Sequence, residues 1–156
     1  MEDTSRRVRD AIFDLRTGPE PGESFAAWMQ SYVQRFGEVQ SIATHLEHAG
    51  TPRGFPLGRE LHAMAIVREA LHNVAKHAGA QSVRMRLEWG SGDLRVTIAD
   101  DGRGLPDPLP GPLQGRYGLA TMAEHARAAA GSVSVSPAAG GGTSVVFMMP
   151  YAHRAA

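Results

Sequence analysis

Apolar positions change their spacing several times along the 156-residue chain, and each change marks an element. Val8, Ala11, Ile12 and Leu15 recur at helical intervals and predict a helix from Met1 to about Arg16. Thr17 to Gly22 is a Gly/Pro break. Ser24 stands at an N-cap position and predicts a helix through about Phe36, with a strand from Val39 to about Glu47. A loop covers 48–58, and a long helix then runs to about Ala78. Strands are predicted near 81–89, 93–100, 132–136 and 143–149, with a helix near 119–130. The expected fold class is α/β: a two-layer sandwich whose mixed, mostly antiparallel sheet of about five strands carries three helices on one face.

The long helix has two faces. At 100° per residue, Met64, Val67, Leu71, Val74 and Ala78 form a 3-4-3-4 core stripe. Glu69, Asn73 and Lys76 fall in a narrow arc on the other side, with His77 at its edge. A solvated face is the ordinary meaning of such an arc. Two features point further. Asn in mid-helix is a poor helix former with no capping duty there. Lys76 is the single lysine among 16 lysines and arginines, and a compact ammonium suits a phosphate oxygen as a point charge. The Asn73 amide oxygen is a hard ligand that suits Mg²⁺ beside nucleotide phosphates.

Leu94 to Asp100 alternates apolar and polar residues and ends in acid. A carboxylate at that strand end only accepts hydrogen bonds, so it pairs naturally with an exocyclic amine. Gly102 and Gly104 then bring backbone near a flat ligand, although Asp-x-Gly-x-Gly is more often a plain turn. Gly115 and Gly118 lead into a helix N-terminus, either an anion site or an ordinary loop. Gly140–Gly142 read as a hairpin turn, and Thr143 after them offers a hydroxyl beside a base. Leu105 to Gln114 is short and carries Pro106, Pro108, Pro110 and Pro112; it reads as a surface loop or as a lid, with Arg103 and Arg116 at its ends.

Composition narrows the field. Lys plus Arg and Asp plus Glu both number 16, and no basic block stands out, so nucleic acid is not an expected partner. The absence of cysteine excludes disulfides, thiol nucleophiles and zinc–cysteine sites. No apolar run approaches a membrane span and no signal peptide is visible, so no membrane contact is expected and the chain is expected to be cytoplasmic, in a parent of either kind. The histidines show no metal spacing; His72 and His77 are five apart and do not share a face as a zinc helix pair would.

Four elements in this order are similar to the N, G1, G2 and G3 boxes of the Bergerat-fold ATPases, the superfamily of gyrase, Hsp90, MutL and the histidine kinases. Within it, Arg68 to Ala78 and Gly118 to Ala126 resemble the signatures of bacterial sensor histidine kinases, in the nitrate/oxygen-sensor group that partners LuxR-type response regulators. The resemblance implies an ATP·Mg²⁺-binding catalytic domain over 24–150, a remnant of the dimerisation and phosphoacceptor helix over 1–17, and a tail over 151–156. It implies that Asn73 holds Mg²⁺ and that Glu69 and Lys76 serve the phosphoryl group, with Lys76 and His77 on phosphate. Asp100 would take the adenine amine, Gly102 and Gly104 the adenine pocket, Gly115, Gly118 and Leu119 the lid's far end, and Thr143 the base. The acceptor histidine would sit on a separate domain absent from this chain. Arg59-Glu60-Leu61-His62 resembles the start of a phosphoacceptor box, but it lies in the same helix as Asn73 and lacks the acid that follows such a histidine. The isolated chain is expected to bind ATP without autophosphorylating. An anti-sigma-factor-type protein serine kinase and a non-catalytic Bergerat-fold interaction module are the alternatives.

Overall fold

The computed structural model describes residues 22–55, 57–104 and 118–151. The expected helix over 1–16, the lid over 105–114 with Gly115 and Arg116, and the tail beyond Tyr151 lie outside these residues. Five strands form one sheet in the order β1-β2-β3-β5-β4. The strands are β1 (Ala43–Ala49), β2 (Ser82–Trp89), β3 (Asp93–Asp100), β4 (Ser132–Pro137) and β5 (Thr143–Pro150). Only β1 and β2 run parallel; the other neighbours are antiparallel. Helices α1 (Phe25–Gln40), α2 (Leu57–Asn73) and α3 (Leu119–Ala128) complete the two layers.

Strand alternation sets the layers. Val83, Met85 and Leu87 on β2, Leu94, Val96 and Ile98 on β3, and Phe147 and Met149 on β5 are buried. Arg84, Arg86 and Arg95 point to the exposed face between them. The helices bury Phe25, Trp28, Met29, Tyr32, Val33 and Phe36 from α1, Met64, Ile66, Val67 and Leu71 from α2, and Met122 and Ala126 from α3. Each such large side chain contributes about 1.5–3 kcal/mol when removed from water, so this interface supplies the main driving force.

α1 begins where expected: the Ser24 hydroxyl accepts from the Ala27 N–H at 3.1 Å. It continues past Phe36 to Gln40, which corrects both the predicted helix end and the predicted strand start at Val39. Ser41 ends the helix in the left-handed region at φ 57, and the Ile42 N–H returns to the Gly37 carbonyl at 3.1 Å. Gly37 therefore does not stop the helix. A Cβ there would stand 2.8 Å from Thr44 Cγ2 and from the Ile42 carbonyl, so the glycine lets β1 approach α1.

The start of α2 is tied to the far end of the sheet. Glu60 accepts from the Phe55 N–H at 3.4 Å, and buried Arg59 donates to the Pro150 carbonyl at 2.6 Å. The Phe55 ring packs on Trp89 and Tyr151, and Arg53 covers the Tyr151 ring at 4.9 Å. This anchors one end of α2, while the other end meets the end of β3.

Candidate nucleotide site

At its C-terminal end α2 changes geometry: Val74–Ala78 form a π-helical turn, closed by the left-handed Gly79 at φ 60. A turn closed by i→i+5 bonds holds more residues than an α turn, so each residue advances less around the axis. The face predicted from a uniform 100° step therefore rotates. His77 comes under Asn73, and Lys76 swings out to an exposed position. Val74 and Ala78, expected on the core stripe only, are buried and also wall a cleft.

That cleft is narrow and opens to solvent at its mouth. α2 and its π turn contribute Ala70, Asn73, Val74, His77 and Ala78, and the sheet contributes Ile98, Asp100, Val135, Thr143 and Val145. Gly104 and Leu119 stand where the chain enters and leaves the segment between β3 and α3. A mostly apolar cleft with one acid in its lining results.

Asp100 is 8% exposed. Its Oδ1 accepts from the Gly102 N–H at 2.8 Å and from the Thr143 N–H at 3.4 Å. Register explains the second bond: β3 and β5 pair as far as Ala99 with Ser144, so Asp100 comes level with the first residue of β5. Burial pushes the Asp100 carboxyl above the usual range, while the bonds from Gly102 and Thr143 pull it down and the neighbouring Asp101 raises it. Asp101 turns the other way. It accepts from the Gln81 and Ser82 amides at 2.9 and 3.0 Å and from the Ser82 hydroxyl at 2.9 Å, tying the end of β3 to the start of β2. Those bonds, the Ser82 amide first, hold its carboxyl below the usual range. One acid is structural and its neighbour faces the cleft.

Backbone packs tightly around Asp100. A Cβ on Gly102 would collide with the Ala78 carbonyl, and the Arg103 N–H donates to that carbonyl at 2.9 Å. A Cβ on Gly142 would collide with the Asp100 carbonyl and lie 2.8 Å from Asp100 Oδ1.

Of the residues singled out in the sequence, the cleft brings together Asn73, His77, Asp100, Gly104, Leu119 and Thr143, with Gly102 holding Asp100 from behind. Lys76 and Glu69 do not line it. Glu69 lies in a second cleft between α2 and α3 with Ala65, Arg68, His72, Thr121 and His125. A Cβ on Gly118, at φ 65, would collide with the Glu69 carboxylate, so the acid rests against the residue that opens α3. Gly115 lies outside the described residues. The sequence reading missed the apolar walls Ala70, Val74, Ile98, Val135 and Val145. Period-two alternation on β3 marked Ile98 as buried and the continuous apolar run of β5 included Val145, but nothing local marks Val135 as a wall.

The chain belongs to the histidine kinase-, DNA gyrase B- and HSP90-like ATPase family, whose model matches residues 58–153. Its relatives there are sensor histidine kinases. It is 29% identical over 143 residues to the signal transduction histidine-protein kinase/phosphatase DegS of Brevibacillus brevis, covering 92% of this chain and 36% of that protein. It is 30% identical over 129 residues to the nitrate/nitrite sensor protein NarX of Escherichia coli K12, covering 81% of this chain and 21% of that protein. These likenesses bear out the nitrate-sensor group as the resemblance. The chain spans little more than a third of the longer match and less of the other. The histidine kinase domain of a blue-light activated histidine kinase from Erythrobacter litoralis superposes with a TM-score of 0.69 at 22% identity, over 94% of this chain and 74% of that one. The ATP binding domain of PrrB from Mycobacterium tuberculosis gives 0.59 at 23%, over 80% and 94%. The fold is that of histidine kinase ATP-binding domains, as expected. Among the described residues no helix is long and apolar enough to cross a membrane.

Proposed function

We propose that this chain is the catalytic part of a two-component sensor histidine kinase, holding ATP·Mg²⁺ for transfer of the γ-phosphoryl to a histidine on another domain of its parent. The observation that carries the reading is the buried Asp100 carboxylate lining a mostly apolar cleft together with Asn73 and His77. Adenine lies flat between Val74, Ala78, Ile98 and Val145 and gives its amine to Asp100, with Gly102 and Thr143 holding that acid. The phosphates extend past Asn73 and His77 towards Gly118 and Leu119 at the start of α3, a helix N-terminus.

The residues present fit Mg²⁺ that arrives with its nucleotide. Such an ion usually keeps several waters and takes one or two protein ligands beside phosphate oxygens. Asn73 offers one hard oxygen, and among the described residues no group of three His, Asp or Glu could hold an ion by itself. When bound, the metal neutralises phosphate charge. The chain's own part is positioning. Lys76, exposed on the π turn beside His77, meets phosphate, and Glu69, resting on Gly118, serves the phosphoryl region. In the transfer, the acceptor imidazole nitrogen forms a P–N bond as the bond from the γ-phosphorus to the ADP oxygen breaks. The work is cytoplasmic, and a LuxR-type response regulator receives the phosphoryl group next.

Base selectivity tests the pocket. Adenine presents an amine where guanine presents a carbonyl oxygen, and an acid that accepts only favours the first. ADP is expected to raise the melting temperature, and GDP at the same concentration to leave it unchanged. Equal shifts with both nucleotides would remove Asp100 from base recognition.

A further inference from the structure

The second cleft contains a contact that nucleotide binding does not use. His62 on α2 and His125 on α3 face each other with their Nδ1 atoms 2.8 Å apart, rings tilted at 47° and centroids 5.1 Å apart. At that distance one Nδ1 carries a proton and donates it, and the other accepts. Two imidazoles are also half of a zinc set, but among the described residues no third acid, cysteine or histidine joins them to hold an ion. The contact is therefore a hydrogen bond that depends on a single shared proton.

Its place gives it a consequence. α3 opens at Gly118, whose Cα lies against Glu69, and its first residue Leu119 lines the nucleotide cleft. The hydrogen bond joins α2 to the turn after that opening. The charged groups around His125 are Arg68 and Glu69 from α2 and Glu124 from α3, with His72 in the same cleft. We infer that His62 and His125 are positioning residues, a clasp that holds α3 on α2 so that Gly118 and Leu119 stand at the phosphate end of the nucleotide, and that a second proton on the pair releases it. The positioning half of this inference rests on the nucleotide reading; the pairing itself does not.

The protons arrive in two steps that belong to the pair. A first extra proton enters an outer ring nitrogen and leaves the Nδ1–H···Nδ1 bond intact, now charge-assisted. A second puts donors on both facing nitrogens and two like charges at contact distance. Burial first, then the neighbouring His62, hold His125 below the usual histidine range, in the direction this requires. The contribution is present at and above neutral pH and is lost as pH falls below the ordinary histidine range.

The test uses the described chain, His62→Gln and His125→Gln. Glutamine keeps helix propensity and one hydrogen bond but cannot take the charge. Imidazole ¹⁵N resonances of the nucleotide-free protein are followed from pH 8 to 5, and ADP·Mg²⁺ affinity is measured at pH 7.5 and 5.5. Protonation of ADP itself is common to all three chains and cancels between them. The expected result is one protonated and one bare Nδ1 at pH 7.5, a second protonation below that of an exposed histidine, and a wild-type affinity loss on acidification about twofold larger than in either variant. Independent, ordinary titration of the two rings overturns the pair. A pair that titrates as described, with the same affinity ratio in all three chains, overturns its positioning role. If no chain binds ADP at pH 7.5 the positioning role falls with the nucleotide reading, and the ring titration still decides the pair.

Discussion

Asp100→Asn is expected to weaken adenine nucleotide binding by about 10- to 100-fold while leaving the fold as stable as before or slightly more so. Both halves follow from one environment. The Gly102 and Thr143 amides need an acceptor, and the asparagine Oδ1 can supply it. The NH₂ group then replaces the second carboxylate oxygen, and a donor faces the donor amine of adenine. Stability moves the other way because burial raises the Asp100 carboxyl. The folded state thus binds that proton more tightly than the unfolded chain, so ionisation costs stability as pH rises through the carboxylate range. Removing the charge removes that cost at neutral pH. Melting temperature and nucleotide affinity measured on the same preparation check this. A variant that loses stability and affinity together would mean that Asp100 supports the fold and does not select the ligand.

Gly142→Ala is expected to be the most damaging single methyl addition at the cleft. The residue sits at φ 86, and its missing Cβ would occupy the space of the Asp100 carbonyl. Left-handed backbone costs a non-glycine residue about 1–2 kcal/mol, and overpacking costs about 1–3 kcal/mol more. Against a typical domain stability of about 5–15 kcal/mol, this lowers the melting temperature by about 10 °C or more. It also displaces Asp100 and so weakens nucleotide binding. Gly140→Ala is the control, since Gly140 has φ 88 but nothing within 4 Å of its Cβ position. Equal losses in the two variants would show that backbone strain accounts for everything and that the approach to Asp100 does not matter.

Most of the architecture was legible because period-two and helical patterns report which face is buried. The strands near 81–89 and 93–100 and the acid closing the second could be read directly. The end of α1 could not, because Gly37 is there for its closeness to Thr44 and helix termination falls to a left-handed Ser41, an uncommon residue for that role. The position of Lys76 was misjudged from one local cause. A wheel drawn at 100° per residue assumes uniform α geometry, and the π turn at Val74–Ala78 breaks it just where the cleft begins. Hence Asn73 was legible as a cleft residue, while Lys76 was drawn beside it and is instead exposed. The separate duties of Asp100 and Asp101 follow from strand register, which one strand's sequence does not contain. Nor does helix periodicity pair His62 with His125, which are 63 residues apart and meet only once α3 packs on α2.

The most direct test of the central claim is calorimetric titration of a non-hydrolysable ATP analogue, with and without Mg²⁺, into the wild type and Asn73→Ala. The account predicts that the wild type binds and that Mg²⁺ tightens the complex. Asn73→Ala should still bind through the adenine slot but lose the Mg²⁺ dependence. No heat from the wild type with any adenine nucleotide, or an unchanged Mg²⁺ dependence in Asn73→Ala, would contradict it.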